Sequence, residues 1–194
     1  MLKQMEQNFL LDLNKKLNIA YINVCTEAEG PYKRMGIWFQ GCNINCKGCC
    51  NPDLQELKLV HPMTVQDILK IALLSKKENG IEGVTFLGGE PTLQQGLIHL
   101  AYVLKNNDFG MILFTGREYN DLESNIKNIM DIIIDGKFEI DKIDEDRNLV
   151  GSKNQNIIFI TDRYKNKKEW FYNLREKRIE INMKEKALIT GDVI

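Results

Sequence analysis

The feature that most constrains this 194-residue chain is an alternation of short apolar runs with segments of helical periodicity. Apolar runs stand at 19–24, 35–40, 84–87, 111–115, 131–135 and 156–160. Thr64 and Asp67 have the spacing of a capping box, which predicts a helix from Thr64 to Lys77, and a second helix is predicted from Thr92 to about Asn106. Runs that are apolar throughout are typical of a parallel sheet covered by helices on both faces.

The chain is too short for a complete eight-unit barrel, which needs about 250 residues. We therefore predict an α/β fold, a partial, open (β/α)-type barrel of about five or six units with a predominantly parallel sheet. Length and the lack of a Pro/Ser linker predict a single domain over 1–194. Residues 1–17 are predicted to form an N-terminal helical extension, since Leu10, Leu13 and Leu17 have helical spacing. Residues 163–194 are predicted to form a helix and a hairpin.

Charge and cysteine usage limit the possible partners and compartment. The formal net charge of −1 argues against nucleic acid or an anionic membrane as partner. No apolar run approaches the roughly 20 residues that cross a bilayer, and the N-terminus lacks the features of a signal peptide. Four of the five cysteines lie between Cys42 and Cys50. Such crowding favours a metal site over a disulfide framework and predicts a cytoplasmic protein.

Three of these cysteines, Cys42, Cys46 and Cys49, have the spacing C-x3-C-x2-C. A loop this tight can wrap three thiolates around three corners of an iron–sulfur cube, and the fourth iron then lacks the cysteine of the usual four-thiolate cluster. A metal with an open position can bind a substrate, as catalytic zinc does. Gly48 allows the loop to bend sharply.

Two other kinds of site stay open at this point. A structural zinc ion could be bound by the same three cysteines with Cys50 or Cys25, although zinc sites usually have two separated C-x2-C pairs and only one is present. Cys46 and Cys49 could form a redox dithiol, although no thioredoxin-like context surrounds them. We interpret Cys50 as a neighbouring thiol and Cys25, inside a predicted strand, as a core residue.

The cysteine motif, placed just after a predicted strand, resembles the cluster motif of the radical S-adenosylmethionine superfamily. The longer segment GIWFQGCNINCKGCCNP resembles the activating proteins of anaerobic (class III) ribonucleotide reductase, and other glycyl radical enzyme activases are similar. The resemblance extends over most of the chain and includes Glu29-Gly30-Pro31, Gly88-Gly89-Glu90-Pro91, Asp135-Gly136 and Gly151-Ser152-x-Asn154-Gln155. Cys50 departs from the usual pattern, whereas Gly48 before the third cysteine is a form found in the reductase activators.

The resemblance implies two cofactors, a [4Fe–4S] cluster bound by Cys42, Cys46 and Cys49, and S-adenosylmethionine. It places Gly88, Gly89 and Glu90 at the amino group of the methionine moiety. Glycines after a buried strand permit a ligand to approach the backbone closely. Glu90 could orient the ammonium or hydrogen-bond the loop itself, and both roles stay open.

Three further polar residues are candidates for the nucleoside side of the cofactor. Asp135 could accept hydrogen bonds from ribose hydroxyls, pair with Lys137 or form an Asp-Gly turn. Thr115 could contact the nucleoside or begin a turn, and Ser152 could face the cofactor or satisfy loop backbone groups. The cysteine loop, the Gly-Gly-Glu segment, Thr115 and Asp135 all follow predicted parallel strands, whose carboxyl ends meet on one face. We therefore expect these four features to lie together.

The resemblance implies reductive cleavage of S-adenosylmethionine to a 5′-deoxyadenosyl radical, which abstracts hydrogen from a glycine of a partner glycyl radical enzyme. The cofactor carries this chemistry while the protein orients it, and no catalytic side chain beyond the cluster ligands is expected. The implied electron donor is a flavodoxin-type reductant. Two alternatives stay open: a radical S-adenosylmethionine enzyme that modifies a small metabolite or peptide, and a non-catalytic zinc- or cluster-binding module.

Overall fold

A seven-stranded sheet forms the centre of the protein. The computed structural model describes residues 10–173, 179–183 and 187–191. The strands of the sheet are β1 (Lys16–Thr26), β2 (Arg34–Phe39), β3 (His61–Thr64), β4 (Gly83–Gly88), β5 (Gly110–Phe114), β6 (Ile132–Asp135) and β7 (Asn156–Phe159). Their spatial order is β3-β1-β2-β4-β5-β6-β7, so the described sheet ends at β3 and β7 and is open.

The sheet has a parallel centre and antiparallel edges. Strands β2, β4, β5 and β6 run parallel to one another, whereas β1, β3 and β7 pair antiparallel with their neighbours. The expected open α/β fold is confirmed, with its parallel repeat confined to these four strands. Parallel neighbours need long crossover connections, usually helical. Only residues 27–33 separate β1 from β2, which is too short for such a crossover.

Four α-helices are described: α1 (Val65–Asn79), α2 (Leu97–Asn106), α3 (Ser124–Ile129) and α4 (Lys168–Tyr172). The predicted start of α1 is confirmed, because the side chain of Thr64 accepts a hydrogen bond from the backbone N–H of Asp67. The second helix begins five residues later than predicted. A 3₁₀ turn over Pro91–Leu93 comes first, with Glu90 as its N-cap.

Both faces of the sheet are buried. The larger core cluster packs under α1, α2 and α3 and takes Leu113 and Ile133 from the central strands. The smaller cluster, on the other face, takes Ile112 and Ile132 and adds Phe171 from α4. Adjacent residues of one strand therefore enter opposite clusters, as expected where successive side chains point to opposite faces and both faces are covered. This arrangement explains why the central strands are apolar throughout.

The predicted N-terminal helix is wrong for residues 10–17. Residues 10–15 form a turn and irregular backbone, and β1 begins at Lys16; residues 1–9 lie outside the described part of the chain. At the other end, α4 is followed by the expected hairpin, with β8 (Ile179–Met183) paired antiparallel to β9 (Ala187–Gly191). Among the helices described, none is both long and apolar enough to span a membrane.

Candidate functional site

The cysteine loop begins directly after β2 and turns sharply at its first residue. Gly41 has a φ of +100°, a conformation that L side chains rarely adopt. Its N–H donates to the carbonyl of Leu54 at 2.8 Å, and the N–H of Cys42 donates to the carbonyl of Gln55 at 3.0 Å. Backbone hydrogen bonds therefore fix where the first cysteine leaves the sheet.

The same loop contacts the segments that follow all three other parallel strands. After β4, the N–H of Glu90 donates to the carbonyl of Gly41 at 2.8 Å. After β5, Ile44 covers Gly116 so closely that a methyl group there would lie 3.0 Å from Cγ1 of Ile44. After β6, Ile140 packs against Gly48 of the loop so closely that a methyl group on Gly48 would lie 2.5 Å from Cδ1 of Ile140. The structure thus brings the four strand ends together around the cysteines.

The thiols are available as metal ligands. All five cysteines are free, and Cys42, Cys46 and Cys49 are half-buried. Two of them already accept backbone hydrogen bonds of 3.4 Å, Cys42 from the N–H of Ile44 and Cys49 from the N–H of Asn51. Such N–H···S contacts are among the features that set the potential of an iron–sulfur cluster.

The pKa values of Cys46 and Cys49 depend on the neighbouring thiols. Burial raises the pKa of the Cys46 thiol, the Phe138 N–H lowers it, and the neighbouring Cys49 and Cys42 raise it again. Hydrogen bonding from the Cys50 thiol lowers the pKa of Cys49 to about 6. The same contact raises the pKa of Cys50, whose side chain is exposed beside the loop. The three motif cysteines therefore form one electrostatically linked group, with Cys50 at its edge.

The donor set has the chemistry of an iron–sulfur site. Within residues 10–173, 179–183 and 187–191, no three His, Cys, Asp or Glu side chains converge closely enough to hold one metal ion. A zinc site needs its ligands to meet at one point. A four-iron cube binds each thiolate at a different iron, so its ligands surround a larger volume. Three free, half-buried thiols of one loop are donors of the type that such a cube needs.

The Gly-Gly segment approaches the start of the cysteine loop with no room for side chains. A methyl group on Gly88, where φ is +101°, would lie 2.5 Å from the backbone N of Phe39. One on Gly89 would collide with the carbonyl oxygen of Gly41. Both glycines are half-exposed, so part of their surface remains accessible.

Glu90 is buried and bonded within the protein. Its side chain is 1% exposed. One carboxylate oxygen accepts hydrogen bonds from the N–H of Thr92 (3.0 Å), the hydroxyl of Thr92 (2.6 Å) and the hydroxyl of Thr115 (2.8 Å). The other accepts from the N–H of Gly116 at 2.9 Å. Of the two roles open for Glu90, the structure shows the one that ties the loops after β4 and β5 together.

Asp135 likewise joins protein segments. One carboxylate oxygen accepts from the N–H of Tyr119 at 2.7 Å, and the other from the side-chain amide of Asn156 at 2.9 Å. Its carboxylate therefore links the segment after β5 to β7. The structure records no ion pair between Asp135 and Lys137 among the described residues.

Ser152 is fully buried, and its hydroxyl accepts from the N–H of Glu139 at 3.1 Å. The neighbouring Asn154 donates from its side chain to the carbonyl of Lys137 at 2.9 Å. Its amide oxygen is buried without a hydrogen-bond partner within the described residues. An unpaired buried acceptor is uncommon and marks a place where a ligand donor would be favourable.

Sequence reasoning missed the residues that support the site from outside the motifs. Arg117 donates from Nε to the hydroxyl of Thr92 at 2.9 Å and from its backbone N–H to Thr115 at 3.1 Å. Asn51 donates from its side chain to Cys50 at 3.3 Å. No spacing or composition signal marks Arg117, because Thr92 lies on another element. Cys25 packs against the larger core cluster, as predicted.

Comparison with known proteins gives three findings. Residues 28–158 match the family described as 4Fe-4S single cluster domain. The chain is 32% identical to the pyruvate formate-lyase-activating enzyme of Clostridium pasteurianum over 113 residues, and this alignment covers 56% of the chain and 48% of that protein. It is 26% identical over 152 residues to the anaerobic ribonucleoside-triphosphate reductase-activating protein of Enterobacteria phage T4, covering 75% of this chain and 96% of that protein.

Among solved structures, QueE from Escherichia coli matches with a TM-score of 0.40 and 20% identity over 53% of this chain and 52% of that chain. The chain thus spans about half the length of the clostridial protein and nearly all of the phage protein.

Proposed function

Since the chain belongs to the 4Fe-4S single cluster domain family, we propose that it is an activating enzyme that installs a radical on a glycine of a partner glycyl radical enzyme. The membership and the relatives confirm the resemblance to radical S-adenosylmethionine proteins, the oxidoreductase class and the two cofactors expected from the sequence. The partner and the roles of individual residues are part of the proposal.

Cys42, Cys46 and Cys49 are proposed to hold the cluster, and the fourth iron is left for S-adenosylmethionine. The reduced cluster would supply the one electron for reductive cleavage of the C5′–S bond of S-adenosylmethionine, which would give methionine and a 5′-deoxyadenosyl radical. The observation that carries the proposal is the contact of the cysteine loop with the segments after β4, β5 and β6. These contacts hold three thiols at the face where parallel strands end, which is where sites form in barrel-type sheets.

The protein's own residues divide into two proposed roles. The backbone of Gly88 and Gly89 is accessible and is proposed to receive the amino group of the methionine moiety. Glu90, Thr115 and Asp135 are buried and act by fixing the loops that surround the cofactor. Ser152, from the predicted set of cofactor contacts, is assigned the same supporting role, since its hydroxyl holds the backbone of Glu139. Any direct contact of these four side chains with the cofactor stays a prediction.

A protein substrate is favoured by the open sheet and by the relatives. An open sheet leaves the reacting face accessible to a polypeptide loop, whereas a closed barrel is better suited to enclose a small molecule. The phage relative is named as the activating protein of an anaerobic ribonucleoside-triphosphate reductase. We propose a partner of that kind, with a flavodoxin-type protein as reductant.

The first experiment tests the cluster and its chemistry. Anaerobic reconstitution should give about four irons per chain and an air-sensitive brown absorbance, and reductant with S-adenosylmethionine should then yield 5′-deoxyadenosine. Cys46→Ser should lose most of the iron and the product. Cys25→Ser is the matched control, because Cys25 is a half-buried free thiol outside the loop, and it should keep both. A colourless protein with one zinc would overturn the proposal.

The second experiment tests the partner. The reconstituted protein is incubated with S-adenosylmethionine, reductant and an anaerobic ribonucleotide reductase from the same source, and electron paramagnetic resonance is recorded on the reductase. We expect a glycyl radical signal that disappears when the reductase glycine is replaced by alanine. Product formation that needs an added small metabolite, with no signal on the reductase, would favour the metabolite enzyme instead.

A further inference from the structure

A cavity of about 500 Å³ lies apart from the cysteines, between the start of α2, the segment after β5 and α3. No cysteine lines it. Its volume lies in the range of about 300–1,000 Å³ typical of sites for small molecules. Neither the sequence motifs nor the proposed activity uses this cavity.

The polar wall of the cavity is held in place by the candidate site. Arg117 donates from Nε to the hydroxyl of Thr92 at 2.9 Å, and that hydroxyl donates to Glu90 at 2.6 Å. Gln94, also in the wall, donates to the carbonyl of Gln40 at 3.2 Å, directly before the cysteine loop. The wall is therefore preorganised, which lowers the entropic cost of binding.

The wall of the cavity carries two basic and two acidic side chains, and Arg117 is the group suited to bind an anion. Arg117 and Lys15 line the cavity, and neither takes part in a salt bridge within the described part of the chain. Burial lowers the pKa of His99, whose Nδ1 accepts a hydrogen bond from the backbone N–H of Asp12 at 3.1 Å. Asp121 and Glu123 also line the cavity and would repel a multiply charged anion. A guanidinium matches the two oxygens of a carboxylate.

The remainder of the wall is apolar. It is formed by Leu93, Leu97, Ile98, Leu122 and Ile126. A ligand that places a hydrocarbon body against these side chains gains binding free energy in proportion to the apolar surface it removes from water. The guanidinium of Arg117 and the apolar side chains therefore together favour an anion with a hydrocarbon body.

We propose that this cavity binds a small organic carboxylate with an apolar body. The carboxylate lies at Arg117, and the hydrocarbon part packs on the leucine and isoleucine wall. Because Arg117 and Thr92 also hold Glu90, an occupied cavity stiffens the segment that carries Gly88 and Gly89. The inference does not depend on the proposed activity, since the cavity is complete without cofactors.

Isothermal titration of the full chain with hexanoate, leucine and inorganic phosphate tests the proposal, with and without a reconstituted cluster. We expect hexanoate and leucine to bind and phosphate to bind at least tenfold more weakly. Arg117→Gln should weaken hexanoate binding at least tenfold, and Ile98→Asn should do so without changing the charge of the cavity. Lys77→Gln, on the exposed side of α1, is the matched control and should leave binding unchanged.

The proposal is overturned if hexanoate does not bind the wild-type chain, or if it binds Arg117→Gln and Ile98→Asn as tightly as the wild type. Phosphate binding as tight as that of hexanoate would also overturn it, since the apolar wall would then be irrelevant. Thermal unfolding of both variants establishes that they are folded, so lost binding is not confused with lost structure. These results are independent of 5′-deoxyadenosine formation.

Discussion

The two ends of the parallel strands are built in opposite ways. At the amino end, Arg34 is fully buried, and its guanidinium donates to Glu82 (3.1 Å) and the hydroxyl of Tyr164 (2.7 Å). It also donates to Thr85 and to three backbone carbonyls. At the carboxyl end, Cys42 and Cys49 accept long N–H···S contacts of 3.4 Å, and within the described residues the amide oxygen of Asn154 has no hydrogen-bond partner.

This difference separates stability from reactivity. A buried charge is tolerated only when its donors and acceptors are paired, and the Arg34 network meets that condition. Thiols that are to bind iron need to keep their lone pairs free. In barrel-type folds the amino end of the strands serves stability and the carboxyl end serves chemistry. Four changes, from the largest expected effect to the smallest, test this division.

Arg34→Met should have the largest effect on the free energy of unfolding. Glu82 keeps its ion pair with Arg163 at 2.6 Å, but Thr85, Tyr164 and three buried carbonyls lose their donor, which should cost about 3–5 kcal/mol in total. Urea unfolding of the cluster-free protein measures the loss. Cys50→Ser at the opposite end is the comparison and should change the same quantity by less than about 0.5 kcal/mol. Similar losses in both variants would contradict the division.

Glu90→Gln probes a strongly paired carboxylate of the cysteine face. The substitution replaces the oxygen that accepts from Gly116 with an NH₂ group, so two donors face each other. We expect a loss of about 1–3 kcal/mol in the free energy of unfolding and weaker binding of S-adenosylmethionine. Glu78→Gln, on the exposed surface of α1, should change neither. Unchanged stability of the Glu90→Gln variant would contradict the proposal that Glu90 fixes the loops after β4 and β5.

Gly48→Ala tests the contact between the cysteine loop and the segment after β6. Gly48 has a φ of +74°, and a methyl group there would lie 2.5 Å from Cδ1 of Ile140. Gly80 has a similar φ of +69° with nothing within 4 Å. Gly80→Ala should therefore cost only backbone strain, about 1–2 kcal/mol, and Gly48→Ala about 1 kcal/mol more. Adding Ile140→Ala should recover that excess; equal losses in the two single variants would refute the contact.

The smallest effect is expected from pH at the segment that carries Ser152. Although burial raises it, hydrogen bonds from the backbone and guanidinium of Arg147 lower the pKa of the Asp144 carboxyl below its usual value. A carboxyl whose pKa is lower in the folded protein stabilises the fold at pH values above the unfolded pKa of about 3.9. This stabilisation is lost as the pH falls through the folded pKa. Urea midpoints measured on acidification should therefore fall less steeply in Asp144→Asn than in the wild type. The urea midpoint of Asp53→Asn should change with pH as that of the wild type does. If the midpoint of Asp144→Asn changed in the same way, a contribution of Asp144 to the pH dependence would be excluded.

Local signals predicted the elements that need no distant partner. The start of α1 followed from Thr64 and Asp67, whose hydrogen bond spans three residues. Apolar strands predicted the open α/β sheet because both of its faces are covered. The N-terminal helix failed because Leu17 lies in β1, where residues Lys16 to Ile19 pair with β3. The periodicity of three leucines cannot report a pairing with a strand more than forty residues away.

The side-chain roles at the site show the same limit. The order of cysteines, glycines and strands indicated which segments come together. It did not show that the Asp135 carboxylate accepts hydrogen bonds from Tyr119 and Asn156. Likewise, no sequence pattern pointed to Arg117 or to the cavity it lines.

The sequence by itself determined the cysteine spacing, the strand–helix alternation and the set of loops at one face, because each depends on residues close together in the chain. The tertiary structure alone decided which polar groups stay free for a ligand and which are consumed in joining loops. That choice depends on donors and acceptors brought from distant elements, and a buried carboxylate bonds whichever donor the fold places beside it.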